Sequence, residues 1–133
     1  MKPLKKSERQ RFESVCCAIR KALNLEHLER QYEFSNEGTT IASTTVFNEG
    51  WRLFMRIRPQ FWEHEYEQQC RFLIHEHIHV ALHPLHQAQD TIAREWVAAH
   101  NSSQVEEIGH KGSEIAVDHL TEAIYRLIRD RLE

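Results

Sequence analysis

The chain has 133 residues, of which 41% are hydrophobic and 28% are charged, and this composition is typical of a soluble globular protein with one core. The formal net charge of −3 gives no reason to expect a nucleic-acid partner, and no apolar stretch is long enough to cross a membrane. We therefore expect a single domain over residues 1–133.

The cellular compartment is predicted from the first residues and from the cysteines. The start of the chain is basic but lacks the apolar run of a signal peptide. The cysteines, Cys16, Cys17 and Cys70, are odd in number, which favours reduced thiols. We therefore expect a cytoplasmic protein, located in the host cytoplasm if a phage encodes it.

The first part of the chain predicts a helix followed by a small sheet. Ser7 and Gln10 form a capping-box pattern, and the helical spacing of apolar residues after it predicts a first helix over about residues 7–24. Residues 30–58 are rich in strand-favouring side chains, with a glycine turn at 48–50. We therefore predict a small, mostly antiparallel sheet.

The strand expected at 51–57 alternates between apolar side chains and others, which is typical of a half-buried strand. Its cations, Arg52, Arg56 and Arg58, are expected on the solvent side. We expect either this strand or its hairpin partner at 40–47 to offer an edge beside the helix that follows.

Three helices are expected after the sheet, over about residues 61–82, 87–100 and 103–131. Pro84 disfavours helix before it and is expected to end the first of them, and Ile92 is expected to face inward in the second. Two glycines, Gly109 and Gly112, are expected to weaken the first turns of the last helix. The order helix, sheet, helices predicts the α+β class.

The pattern H-E-x-x-H, formed by His75, Glu76 and His79, lies in the first of these three helices. Positions i and i+4 lie one turn apart on the same face, so two imidazoles at this spacing can bind one metal ion. Glu76 lies at the flank of that face, where a carboxylate can act as a general base toward water. We therefore expect one divalent ion per chain, Zn²⁺, with Glu76 as the catalytic group.

A third ligand is needed, because a catalytic zinc usually has three protein ligands and one open position. The last helix offers three acids at i, i+4 spacing, Glu114, Asp118 and Glu122, beside an apolar face. His77 lies on a different face of its helix from His75 and His79, so we expect it to be structural or exposed.

This order of motifs resembles the gluzincin metallopeptidases, in which H-E-x-x-H is followed by a glutamate ligand and, four residues later, by an aspartate. It is most similar to the compact ImmA/IrrE-type peptidases and to similar small phage-encoded metallopeptidases, over roughly residues 40–128. The resemblance implies a minimal zincin-like fold and a protein or peptide substrate. An extra helical pattern between His79 and Glu114 departs from the family.

The resemblance also implies the roles of the site residues. His75, His79 and Glu114 would be the zinc ligands, and Asp118 would accept a hydrogen bond from a ligand histidine. A residue that stabilises the oxyanion is also expected, and the candidates are His83, His86, His119 and Tyr125.

Two other hypotheses remain open. The first is a metal-dependent hydrolase with three histidine ligands, similar to the YbeY-like endoribonucleases, in which His83 or His86 would be the third ligand. That family has a glycine where this chain has Glu76. The second is a non-catalytic metal-binding protein on the same fold. A metzincin would need a third histidine ten residues after the first, where this chain has Leu85, so that class is disfavoured.

Overall fold

The computed structural model describes residues 4–36, 38, 40–47, 52–96 and 99–132. The elements follow one another as α1 (Lys6–Ala22), β1 (Glu29–Phe34), β2 (Ala42–Phe47), β3 (Arg52–Ile57), a 3-10 helix (Pro59–Glu63), α2 (Tyr66–Ala81), α3 (His83–Trp96) and α4 (Ala99–Leu132). The predicted α+β class is therefore confirmed. None of the helices in the described ranges has the length and apolar character required to cross a membrane.

The three strands form one mixed sheet in the order β1-β3-β2. Strand β3 pairs in parallel with β1 and antiparallel with β2, so the prediction of a mostly antiparallel sheet is wrong. Strand β3 lies at the centre, and its alternate side chains, Leu53, Met55 and Ile57, are fully buried. Of the two strands expected to offer an edge, only β2 does so, and it packs against α2. The glycine turn predicted at 48–50 lies outside the described residues.

The core lies between the sheet and helices α1, α2 and α4. Phe12 of α1 makes edge-to-face ring contacts with Tyr32 and Phe34 of β1 and with Phe61 of the 3-10 helix. The buried apolar face of α2 is completed by Val117 of α4, and these two helices make the most extensive helix–helix contact of the described part of the chain. Packing of α2 against α4 therefore determines how their polar side chains meet.

Arg58 is an exception to the predicted solvent face of β3. It is only 6% exposed, and its guanidinium donates to the backbone oxygen of Thr40 at 3.0 Å and to the Thr40 hydroxyl at 2.7 Å. A Cβ atom at Gly38, where φ is +97°, would lie 2.5 Å from this guanidinium, so only glycine fits there. Arg52 and Arg56 do lie on the solvent side, near Gln31 and Glu33.

Several helix boundaries differ from the predicted ones. Helix α1 begins at Lys6, and the Glu8 carboxylate accepts a hydrogen bond from the backbone N–H of Lys5 at 3.0 Å, in place of the predicted Ser7 box. Helix α2 begins at Tyr66, because the backbone at 64–65 is extended. Helix α3 begins at His83, which places Pro84 in the first turn, where a missing N–H costs nothing.

Helix α4 begins at Ala99 and continues through Gly109 and Gly112 without a break. Each glycine disfavours helix by about 1 kcal/mol, and the packing of the following turns on α2 offsets that cost. Ile92, predicted to face inward, is 55% exposed. The segment formed by α3 and the first turns of α4 therefore leaves large apolar side chains in contact with solvent.

Candidate metal centre

Helix α2 places His75 and His79 on one face, as their spacing predicts. The Nε2 atoms of the two rings lie 3.2 Å apart, and their ring centroids are separated by 4.9 Å. Both side chains are about three-quarters buried, with 22% and 23% of their surface exposed. Without a metal ion, one ring can donate its N–H to the other, and with a metal ion both Nε2 atoms can act as ligands.

Glu114 of α4 completes the set. Its Oε1 lies 2.9 Å from Nε2 of His79 and its Oε2 lies 3.3 Å from Nε2 of His75. A tetrahedral zinc with ligands at about 2.0–2.1 Å requires donor atoms about 3.3 Å apart, close to these distances. Among the described residues, this is the only group of three or more histidine, cysteine or acidic side chains close enough to hold a metal ion.

Asp118 contacts the other side of the His75 ring. Its Oδ1 lies 3.0 Å from Nδ1 of His75, so Nδ1–H donates to the carboxylate and Nε2 keeps its lone pair toward Glu114 and His79. The Asp118 side chain is 71% exposed, so it orients the ring more than it adds buried charge. The third acid of the predicted line, Glu122, is bound by Arg71 at 2.9 Å, and this hydrogen bond lowers its pKa.

Glu76 lies outside this group of three and contacts β2. Its Oε2 accepts a hydrogen bond of 2.5 Å from the Thr44 hydroxyl. Burial raises the pKa of Glu76, while the Thr44 hydrogen bond and the neighbouring His75 act to lower it. The sequence does not indicate the role of Thr44, because a threonine in a strand gives no signal of which helix the strand will face.

His77 is fully buried on the opposite face of α2, where it belongs to a chain of hydrogen bonds. Nδ1–H donates to the backbone oxygen of Leu73 at 2.6 Å, and Nε2 accepts from the hydroxyl of Tyr32 at 3.1 Å. The Tyr32 oxygen in turn accepts from the guanidinium of Arg20, which is 3% exposed. Burial lowers the pKa of His77 to about 4, so this ring is neutral and structural, in accordance with its predicted face.

The four oxyanion candidates occupy different places. The ring of His86 lies 5.7 Å from that of His79, centroid to centroid, and His86 shares a cleft with it. Tyr125 lies under the guanidinium of Arg71, His119 is exposed, and His83 is half-buried at the start of α3. His110 of α4 lines the same cleft as His86 and was missed, because a lone histidine among polar residues carries no sequence signal.

Two clefts flank the ligand set. One, of about 580 Å³, lies on the side of His75 and Glu76 and is bordered by the start of β2, by Arg71 and by Asp118. The other, of about 510 Å³, lies on the side of His79 between α3 and α4. Their sizes are within the range of ligand-binding pockets, so a bound chain has room on both sides of the ligands.

Comparison of this chain with protein-family models, with curated proteins and with solved structures gave no match. The inference about function therefore rests on the geometry of the site and on the order of the motifs.

Proposed function

We propose that the chain is a zinc-dependent metallopeptidase of the gluzincin type, with a minimal zincin-like fold, that hydrolyses peptide bonds in a protein or peptide substrate. The observation that carries this proposal is the ligand set of His75, His79 and Glu114, whose donor atoms are spaced as zinc requires. Glu76 supports it, because its carboxylate lies outside that set and is free to take a proton. We place the protein in the cytoplasm.

His75, His79 and Glu114 would hold the ion. His75 and His79 would bind it through Nε2, and Asp118 would keep the His75 ring in the required tautomer by accepting from Nδ1–H. Zinc bound there would supply a Lewis acid and lower the pKa of a water molecule.

Glu76 is the general base of the proposed reaction. It takes a proton from the attacking water and passes it to the nitrogen of the leaving amine. The Thr44 hydroxyl holds the carboxylate in place at 2.5 Å, and burial raises its pKa, which makes it a stronger base than a free glutamate. Of the predicted oxyanion residues, His86 fits best, because its ring lies 5.7 Å from that of His79, centroid to centroid, and both line one cleft.

The substrate would enter as an extended peptide along β2. This strand is an edge of the sheet and packs against α2, so it can form a further ladder of backbone hydrogen bonds. Because Thr44 of β2 touches Glu76, a peptide on this edge would pass close to the base.

The hypothesis of a third histidine ligand is less well supported, since Glu114, and neither His83 nor His86, joins His75 and His79 in the described group that could hold an ion. A non-catalytic metal-binding protein would share the ligand set but would not depend on Glu76.

Substitution of the base tests the proposal. Glu76→Gln keeps the shape of the side chain but cannot accept a proton, so the variant should bind one zinc per chain while peptide hydrolysis falls by about 10²- to 10⁴-fold. Glu63→Gln, at an exposed position at the end of the 3-10 helix, is the matched control and should match the parent in both measurements. Digestion of a peptide library by zinc-reconstituted protein provides the assay.

Loss of zinc by Glu76→Gln would make Glu76 a ligand and would contradict the mechanism. Full activity in this variant would assign the hydrolysis to another site. A parent that binds zinc but cleaves no peptide would favour the non-catalytic hypothesis.

A further inference from the structure

The cleft between α3 and α4 begins at His79 and is bordered by large apolar side chains. Ile92 of α3 is 55% exposed and Ile108 of α4 is 71% exposed, although both line this concave surface of about 510 Å³. We call it the α3–α4 cleft. Apolar side chains left in contact with water at the wall of a cleft gain free energy when an apolar group covers them.

The charged groups of the cleft do not favour a charged occupant. Two acids line the cleft, Glu106 and Asp90. Glu106 already binds the guanidinium of Arg94 at 3.0 Å, so Asp90 is the carboxylate left to bind a cation. His86 and His110 line the same surface. A cationic side chain would thus lose its hydration for one carboxylate, and an anionic one would approach both acids. The favourable contacts available are those with Ile92 and Ile108.

We infer that the α3–α4 cleft binds a branched or aromatic apolar side chain of the substrate, at the residue next to the scissile bond, and that Ile92 and Ile108 determine this preference. The inference rests on the proposed function, because a chain held at His79 would place that side chain in the cleft. It assigns a role to α3 and the first turns of α4, a segment that contains none of the proposed metal ligands.

Gly109 gives direct access to the cleft for a test. It lines the cleft, and a Cβ atom built on it would meet no atom of the described residues within 4 Å. The Cβ atom of Gly109→Phe is therefore accommodated, its ring is added at the wall of the cleft, and replacing a helical glycine does not weaken the helix. Gly112→Phe is the matched control, since Gly112 is equally open, lies on the same helix and does not line the cleft.

The experiment measures the affinity of zinc-loaded protein for two hydroxamic acids. Acetohydroxamic acid reports the metal alone, and its analogue with an isobutyl group adds an apolar branch. The parent and Gly112→Phe should bind the isobutyl analogue at least about tenfold more tightly than acetohydroxamic acid. Gly109→Phe should lose this ratio and keep the parent's affinity for acetohydroxamic acid. Methyl NMR signals of Ile92 and Ile108 should shift with the isobutyl analogue, whereas those of the buried Ile57 should not.

Equal affinity of the parent for both compounds would overturn the inference and leave the proposed metal site in place. A Gly109→Phe variant that kept the parent's ratio would overturn it as well. Failure of all three proteins to bind zinc and acetohydroxamic acid would instead refute the proposed function, and the inference with it.

Discussion

Removal of the Tyr32 hydroxyl, which joins Arg20 to His77, should strongly destabilise the protein. Tyr32→Phe keeps the ring that packs edge-on against Phe12 but deletes the oxygen that joins Arg20 to His77. Arg20 is 3% exposed and His77 is 0% exposed, so solvent cannot readily replace the lost partner of either. The variant therefore leaves two buried polar groups each short of one hydrogen bond.

The magnitude follows from those two groups. A buried acceptor left without a donor, here Nε2 of His77, costs about 1–3 kcal/mol, and the loss of a hydrogen bond to a charged group, here Arg20, costs about 1.5–3 kcal/mol. We therefore expect the free energy of unfolding to fall by about 3–5 kcal/mol, a large fraction of the stability of an ordinary domain. Tyr125→Phe, which removes a hydroxyl from a half-buried ring, should change it by less than about 0.5 kcal/mol.

Urea unfolding of the metal-free proteins, in the presence of a chelator, gives both values, provided that the m-values agree. The double variant Tyr32→Phe with His77→Phe supplies a second measurement, because two partners of one bond do not lose stability additively. A loss below about 1 kcal/mol for Tyr32→Phe, or strict additivity in the double variant, would refute the hydrogen-bond chain.

Two further predictions concern the ligands and pH. Glu114→Gln should lower the affinity for zinc more than Asp118→Asn, which should lower it by about 10- to 100-fold. Glu122→Gln should have little effect. Calorimetric titration measures all three affinities, and a greater loss for Glu122→Gln would contradict the proposed ligand set. His77 alone should make the metal-free protein less stable at pH 5 than at pH 7 by about 2 kcal/mol, because the unfolded residue, with a pKa near 6.5, binds a proton that the folded ring, with a pKa of about 4, does not. His77→Phe should lack this part of the slope in urea unfolding, and an unchanged slope would refute the low pKa.

The class and the motif helix could be predicted because their signals are local. The i, i+4 spacing of His75 and His79 sets their shared face whatever surrounds the helix. The alternation of Leu53, Met55 and Ile57 likewise identifies the buried face of β3. Both patterns follow from the geometry of one element, so they need no knowledge of its neighbours.

Features that depend on partners distant in the chain were missed or wrongly predicted. Parallel pairing of β1 with β3 depends on which strand takes the centre of the sheet, and no local pattern encodes it. Burial of Arg58 depends on two residues about 20 positions earlier in the chain. Thr40 accepts its hydrogen bonds, and Gly38, which has no side chain, leaves room for the guanidinium. Contact of Thr44 with Glu76 requires the sheet and α2 to meet, and their packing is a tertiary property.

The proposed ligand set comes entirely from two helices, α2 and α4, and Glu114 follows His79 only after the whole of α3. On the ribosome, the two histidines therefore emerge well before the carboxylate that completes the centre. A nascent chain that has exposed α2 alone offers two nitrogen ligands and can bind zinc only weakly. Under the proposed function, tight capture of the ion would have to wait until α4 has been synthesised and has docked, so metal loading would be a late event in the biogenesis of this protein.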